Sequence, residues 1–350
     1  MPGWAGSCWY HIRYCDNRNS ERFIGDEADA YWLGENGVDL YIGGAEHAVL
    51  HLLYARFWHM ILHDLGHLRS PEPYRKLFHQ GLITSHAYQR RDKSLVPIDE
   101  VEEQNGVHVH APTGDIVTST IAKMSKSLKN VVNPDDIIEK FGVDTFRLYE
   151  MYMGPLEASK PWNTDDTVGL HRFLQRVWRM CVDEETGDVR LVDPADESIE
   201  KLLHRTIAKV GDDIERLSFN TAIAAMIEFV NTASKVGLSQ DQADRFMRIL
   251  APFAPHIAEE IRREKLGIAG AIAHADWPKF DEAMLTDDEV EIPVQLMGKV
   301  KARLRMPADA DEDTMQAIAM ESPEIRQLLE GKTVRKVIVV PGQIVNIVAN

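Results

Sequence analysis

Apolar residues recur at helical spacing from Asp165 to about Trp277, in stripes such as Phe173, Val177, Met180; Ile207, Val210, Ile214, Leu217; and Ala222, Met226, Phe229, Val230. Stripes of this width each bury one helix face, so the segment predicts a helical bundle. The segment before it mixes two periods. Val38-Asp39-Leu40-Tyr41-Ile42 alternates and is rich in strand formers, and Gly43-Gly44 supplies a tight turn. Glu46 to His63 is then apolar at helical spacing through Val49, Leu52, Leu53, Phe57, Met60 and Ile61, which predicts a strand, turn, helix unit. Further on, Asn133-Pro134-Asp135-Asp136 is a helix start and Gly142 its stop, with a second helix around Asp144 to Met153. After about Val290 the pattern changes again. Lys299, Lys301, Arg303 and Arg305 alternate with Val300, Ala302, Leu304 and Met306, so a strand there carries four cations on one face. Asp313 to Leu329 reads as a helix, and Val334–Val340 and Gln343–Val348 as strands joined at Pro341-Gly342. Three segments follow: 1–163 of mixed α/β character, 164–284 helical, and 285–350 a small α+β module.

Composition adds limits. The 350 residues are 44% hydrophobic, enough for ordinary cores, and no run approaches the roughly eighteen apolar residues of a membrane span. Arg13, Asp16 and Arg18 stand where a signal peptide is apolar, so a cytoplasmic protein is expected. Cys8, Cys15 and Cys181 have an odd count and no metal-ligand spacing, which suits reduced thiols and predicts no structural zinc. A net charge of −16 argues against indiscriminate nucleic-acid binding and makes any RNA contact local.

The densest candidate chemistry is Lys123-Met124-Ser125-Lys126-Ser127, two lysines and two hydroxyls in a polar stretch ahead of the Asn133 helix. Such a loop can cradle phosphate oxygens and stabilise charge building on a departing pyrophosphate; a solvated basic turn has the same composition. Around the Gly43-Gly44 turn, a helix beginning at Glu46 would present its free N–H groups to a ligand beyond the strand end. Glu46 could accept from ribose hydroxyls, and His47 and His51, four apart, would share a face. A histidine pair of this kind is often only structural. A zinc site is a weaker reading, because neither H-E-x-x-H nor H-x-x-E-H is present.

Taken together, Met1–Tyr10 (MPGWAGSCWY), Tyr41–His51 (YIGGAEHAVLH), KMSKS at Lys123–Ser127, LSFNTA at Leu217–Ala222, LAPFAPH at Leu250–His256 and RKVIVVPG at Arg335–Gly342 resemble the leucyl-tRNA synthetases of bacterial type, members of class I. The resemblance implies a partial Rossmann-like catalytic core in 1–163 carrying the KMSKS loop, an anticodon-binding-type helical bundle in 164–284, and a tRNA-contacting α+β domain in 285–350. It also implies leucine--tRNA ligase chemistry, in which leucine attacks the α-phosphorus of ATP and the acyl group passes to tRNA(Leu). Ser7, Tyr10, Tyr41 and His51 would line the leucine pocket. Gly43, Gly44, Glu46 and His47 would lie against the adenylate, together with Lys123, Met124, Ser125, Lys126 and Ser127, of which Lys123 and Lys126 would act in catalysis. Lys299, Lys301, Arg303, Arg305, Lys332, Arg335 and Lys336 would contact tRNA. Mg²⁺ would accompany ATP.

The HIGH tetrapeptide of class I enzymes occurs nowhere in these residues, nor does the editing domain. The resemblance is therefore to a carboxyl-terminal half, expected to be inactive alone and to need an amino-terminal half as partner. His11 stands where an aromatic residue is usual, and Ser85–Ser119, where the family carries its leucine-specific insert, is short and polar. Rival readings are a non-catalytic tRNA-binding paralogue, with the cations of 299–305 serving only to guard a strand edge, and a zinc hydrolase built on His47 and His51.

Overall fold

A computed structural model of the chain describes residues 6–286, 289–308 and 310–350. Met1 to Ala5 of the first motif lie outside the described residues. The chain divides into two compact units, Met1–Ile199 with Lys209–Pro278, and Glu200–Ala208 with Lys279–Asn350.

In the first unit, helices α1 (Tyr10–Cys15) and α2 (Asp26–Trp32) precede strand β1 (Tyr41–Ile42), helix α3 (His51–Asp64) and strand β2 (Leu77–Phe78). β1 and β2 pair in parallel, Tyr41 against Leu77, with α3 as the crossover between them. The expected helix from Glu46 is corrected. The amides of His47 and Ala48 donate to Gly44 and Ala45, so three-residue turns consume these carbonyls, and the α-helical ladder begins only where Tyr54 N–H donates to Leu50. Glu46 and His47 thus sit on a 3₁₀ turn, not on the first turn of α3, and the one-face argument for His47 and His51 does not hold as stated.

Residues 83–123, which the sequence shows as largely polar, are built from strands. β3 (Ile83–Gln89) and β4 (Leu95–Val96) are followed by β5 (Val101–Gln104), β6 (Val107–His110), β7 (Asp115–Ile116) and β8 (Thr118–Lys123). β5, β6 and β7 form an antiparallel meander, and β8 pairs antiparallel with β3, setting Lys123 against Thr84. Lys123, read from the sequence as part of a loop, instead ends a strand; cross-strand pairing to β3 supplies the order that the weak periodicity before it conceals. Helices α4 (Pro134–Phe141) and α5 (Val143–Tyr152) follow, with Asn133 capping α4 through its side chain. The short strand β9 (Lys160–Pro161) then pairs in parallel with β3.

The helical stretch consists of α6 (Thr164–Cys181), α7 (Glu197–Glu215), α8 (Phe219–Val236), α9 (Gln240–Leu250) and α10 (Pro255–Glu259). The stripe residues Phe173, Val177, Met226, Phe229 and Val230 are fully buried, as the periodicity requires. Asp144 of α5 caps α10 from a distance: its carboxylate accepts from His256 Nδ1 at 2.8 Å and from the Ile257 amide at 2.8 Å. Arg147 donates to the carbonyls of Pro252 and Phe253 just before it.

The second unit contains β10 (Glu289–Leu296), β11 (Lys299–Pro307), α11 (Glu312–Glu321), α12 (Pro323–Leu329), β12 (Val334–Val340) and β13 (Ile344–Ala349). The strand order is β11-β10-β13-β12, with β10 and β13 parallel and the outer pairs antiparallel. Ile292, Val294, Met306, Val345 and Ile347 pack with Met315, Ala319 and Ile325 of the two helices. The single helix expected over 313–329 is broken at Ser322-Pro323, because proline has no N–H to continue the ladder and instead opens the next helix at its first position. Among the described residues no helix is long and apolar enough to cross a membrane.

Candidate active site

A cleft of about 460 Å³ opens beside the β1 end and the Gly43-Gly44 turn. Seven residues named from the sequence line it: Ser7 and Tyr10, Tyr41 at the start of β1, Gly43, Gly44, Glu46 and His47, and His51 makes an eighth on α3. A hydrogen-bonded chain runs along one wall, with the Tyr10 and Tyr41 hydroxyls in contact and the Tyr41 hydroxyl 2.8 Å from His51 Nε2. Burial pushes the Tyr41 phenol up to about 12 and the His51 imidazole below its ordinary value, so both are neutral near pH 7. The wall therefore offers oriented dipoles without net charge. The Tyr41 ring stacks on Tyr74 with centroids 4.0 Å apart, and the His47 ring meets His51 edge-on at 6.1 Å, so the two histidines adjoin despite lying on different turns.

Behind this wall lie His11 and His59, stacked at 6.0 Å, with Tyr74 at 5.1 Å from His11. His59 Nε2 lies 3.0 Å from the Ser70 carbonyl, but neither His11 nitrogen has a hydrogen-bond partner. Burial, then the neighbouring His59 and His51, lower the His11 pKa to about 3. His11 is thus a buried, neutral imidazole.

Sequence reasoning missed His79, Gln80 and Leu82, which also line the cleft. His79 Nδ1 lies 2.8 Å from the Gly43 carbonyl, and Gln80 Oε1 is buried without a partner. A polar atom left unpaired at a cleft wall is a candidate ligand contact. The signal available was Gly81, at which a Cβ would stand 2.2 Å from the Ala158 carbonyl carbon, so glycine alone lets this wall approach the 156–160 segment.

The KMSKS residues do not line this cleft. Lys123 ends β8, and its partner Thr84 lies two residues beyond Leu82 of the cleft wall. Ser125 caps a 3₁₀ turn over Lys126–Leu128 by accepting from the Leu128 amide at 3.2 Å. Asn130, fully buried, ties the loop down: its Oδ1 accepts from the Ser125 amide at 2.9 Å, and its Nδ2 donates towards the carbonyls of Ser85, Ala122 and Lys123. Both motif lysines lack an ion pair among the described residues.

On the second unit, β11 is an edge strand, and Lys299, Lys301, Arg303 and Arg305 are exposed along it. Arg303 lies 3.7 Å from Glu291. At the other edge Lys336 is exposed, Arg335 donates to Asn350 Oδ1 and Lys332 to the Leu328 carbonyl. Among the described residues, no group of three His, Cys, Asp or Glu side chains is placed to hold a metal ion, and the zinc reading of His47 and His51 gains no ligand set.

Comparison with known proteins bears on both units. The family profile for tRNA synthetases class I (I, L, M and V) matches residues 108–160, and that for the anticodon-binding domain of tRNA ligase matches 196–316. Fold and sequence together place the chain among the class I aminoacyl-tRNA synthetases. It is 50% identical over 358 residues to the leucine--tRNA ligase of Salinispora tropica, covering all of this chain and 37% of that protein. With the leucine--tRNA ligase of Mycolicibacterium paratuberculosis it is 50% identical, covering 99% of this chain and 38% of the relative. The Agrobacterium radiobacter K84 agnB2 LeuRS, solved in ternary complex with tRNA and LeuAMS, superposes with a TM-score of 0.69 at 28% identity over 99% of this chain and 42% of its own. The chain belongs to the leucine--tRNA ligase family, and spans about 37–38% of the length of these curated relatives.

Proposed function

We propose that the chain supplies the leucine-binding wall and the KMSKS loop of a cytoplasmic leucine--tRNA ligase, completed by a separate HIGH-bearing half. The observation that carries this reading is the cleft itself, in which the neutral Tyr10–Tyr41–His51 chain faces Gly43, Gly44, Glu46 and His47. Ser7, Tyr10, Tyr41 and His51 bind leucine, the neutral wall suiting an apolar side chain beside polar main-chain groups. Glu46, His47 and Gln80 contact the ribose and adenine of the nucleotide. Leucine's carboxylate attacks the α-phosphorus, so the protein supplies alignment and charge, not a nucleophile. Lys123 and Lys126 move in to neutralise the leaving pyrophosphate. Mg²⁺ accompanying ATP would supply positive charge at the phosphates; among the described residues no group of three His, Cys, Asp or Glu side chains is placed to hold it.

Need for a partner is supported by two features. β1 and β2 form a two-stranded parallel sheet, whereas parallel sheets are normally larger and covered on both faces. Alongside it, Val49, Leu53, Phe57 and Met60 of the α3 region and Ile42 and Leu77 of the two strands are exposed. A strand-and-helix segment of the missing half would extend the sheet and cover these residues. In the second unit, the β11 cations contact tRNA phosphates. Leucine-dependent ATP–pyrophosphate exchange, measured with and without a supplied HIGH-bearing half, tests the reading; exchange by the verified chain alone rejects the partner, and no exchange in the reconstituted pair rejects the activity.

A further inference from the structure

A second cleft, of about 540 Å³, lies in the first unit between the carboxyl ends of α6 and α8. Every charged side chain lining it is a cation: Arg176, Arg179, Arg190 and Lys235. In a chain of net charge −16 this is a concentration against the background. The hairpin after α6 builds it. The Arg190 amide donates to the Cys181 carbonyl, and the next residues run beside the end of α8, where Val192 N–H donates to Leu238. The close approach needs Gly237, at φ +100°, because a Cβ there would stand 2.6 Å from Val192 Cγ1.

Helix ends attract cations, and Arg179 and Lys235 in the last turns of α6 and α8 fit that role. Arg176 and Arg190 do not. Arg176 lies a further turn back; among the described residues its guanidinium meets only the Asn231 amide oxygen, and its buried Nε has no partner. Arg190 is exposed on the hairpin and, like Lys235, has no ion pair among the described residues. Arg179 is partly neutralised by Glu184 at 2.9 Å, and Arg190 lies within electrostatic reach of the Asp183 carboxylate without forming an ion pair with it. Leu191 and Val236 stand exposed beside these cations, giving an apolar shelf next to the charge.

We propose that this cleft is a phosphate-recognition site for a nucleotide-sized ligand, separate from the Tyr41–His51 cleft. Guanidinium forks match phosphate oxygens, the volume is within the range of small-molecule sites, and the apolar shelf suits a base or sugar face. The phosphate has two chemical sources, a free nucleotide or a phosphodiester of RNA. The inference stands whether or not the first cleft takes leucine.

The test is protection of Arg190 from the guanidinium reagent phenylglyoxal, read by peptide mass spectrometry on the full chain, with AMP in one arm and a short single-stranded RNA in the other. Saturable slowing of modification is expected in at least one arm, at concentrations matching binding measured by calorimetry. Arg190→Gln with Lys235→Gln should weaken that binding by roughly tenfold to a hundredfold, while Tyr41→Phe leaves Arg190 protection unchanged. Both substituted side chains are exposed, so circular dichroism should show an intact fold. Protection by AMP assigns a free nucleotide, and protection by RNA alone assigns a phosphodiester. If neither ligand protects Arg190, or the double variant binds like the parent, the proposal is overturned.

Discussion

Helices α3 and α8 carry the same kind of apolar stripe, yet the fold treats them oppositely. In α8, Ala222, Ile223, Met226, Phe229 and Val230 are all fully buried; in α3, Phe57 is 64% exposed, Leu53 60%, and the buried positions are His51, Ala55 and His59. α8 is held by its oil. α3 is held by its polar side, through Tyr41 to His51 and the Ser70 carbonyl to His59. The difference shows that periodicity fixes which residues share a face but not which face the surrounding chain covers. An uncovered stripe is then a statement about what is absent from the neighbourhood, here read as the surface for a HIGH-bearing half.

The comparison breaks most directly by truncation. Phe229→Ala should cost ~3–5 kcal/mol of stability in denaturant unfolding through the cavity it leaves, whereas Phe57→Ala should stay within about 0.5 kcal/mol. Equal losses would mean α3 is covered after all. Phe57→Asp, silent in the isolated chain, should abolish pyrophosphate exchange in the reconstituted pair.

Kinetics of the reconstituted enzyme sharpen the polar side. Lys126→Ala should lower kcat by about 10² to 10³ with little change in leucine KM. Tyr41→Ala and His51→Ala, on the wall that anchors α3, should instead raise leucine KM. A reversed pattern would detach the KMSKS loop from pyrophosphate departure.

Acid should reveal the buried imidazoles. His11 has an ordinary value of 6.5 and is lowered to about 3 by burial. Above pH 6.5 neither folded nor unfolded chain holds its proton; below, only the unfolded chain takes it. Stability of the first unit should therefore fall on acidification from 6.5 towards 3, by up to roughly 1.4 kcal/mol per pH unit for this residue. His59 and His51, also lowered, act in the same direction. His11→Phe should flatten the slope between pH 6.5 and 5 in equilibrium unfolding, and an unchanged slope would show that His11 is solvated.

The smallest effect belongs to the second unit. Reversing two of Lys299, Lys301, Arg303 and Arg305 should reduce the log–log salt dependence of tRNA binding by about 0.9 per lost phosphate contact, on the calibration for duplex DNA. Pyrophosphate exchange should survive. Unaltered affinity and slope in a folded variant would leave these cations as guards of the β11 edge.

Much of this was legible in the chain. The α6 and α8 stripes, the Asn133 cap, the β11 alternation and the cleft residues from Ser7 to His51 follow from period, capping and motif. What escaped depended on partners distant in sequence. β8 is ordered by β3, thirty-odd residues earlier in register, and shows little pattern of its own. Gln80 and His79 owe their place to the close approach at Gly81. The 3₁₀ turn over Ala45–His47 differs from a helix start by one hydrogen-bond register, below what composition resolves. The break at Pro323, by contrast, was readable from proline chemistry alone.

The Asp144 cap on α10 has a consequence for the order of assembly. Pro255–Glu259, even continued by the π-helical stretch Glu260–Lys265, is too short a segment to sustain a helix alone, because nucleation costs more than so few hydrogen bonds return. Two N–H groups at its start are instead met by a carboxylate 112 and 113 residues upstream. Closing a loop of that length is an entropic debt settled only after the intervening helices have gathered. The LAPFAPH turn is then a late-forming latch, and slow hydrogen exchange at the His256 and Ile257 amides becomes a clock for the moment when the α4–α5 region that follows the KMSKS loop and the helical bundle become one body.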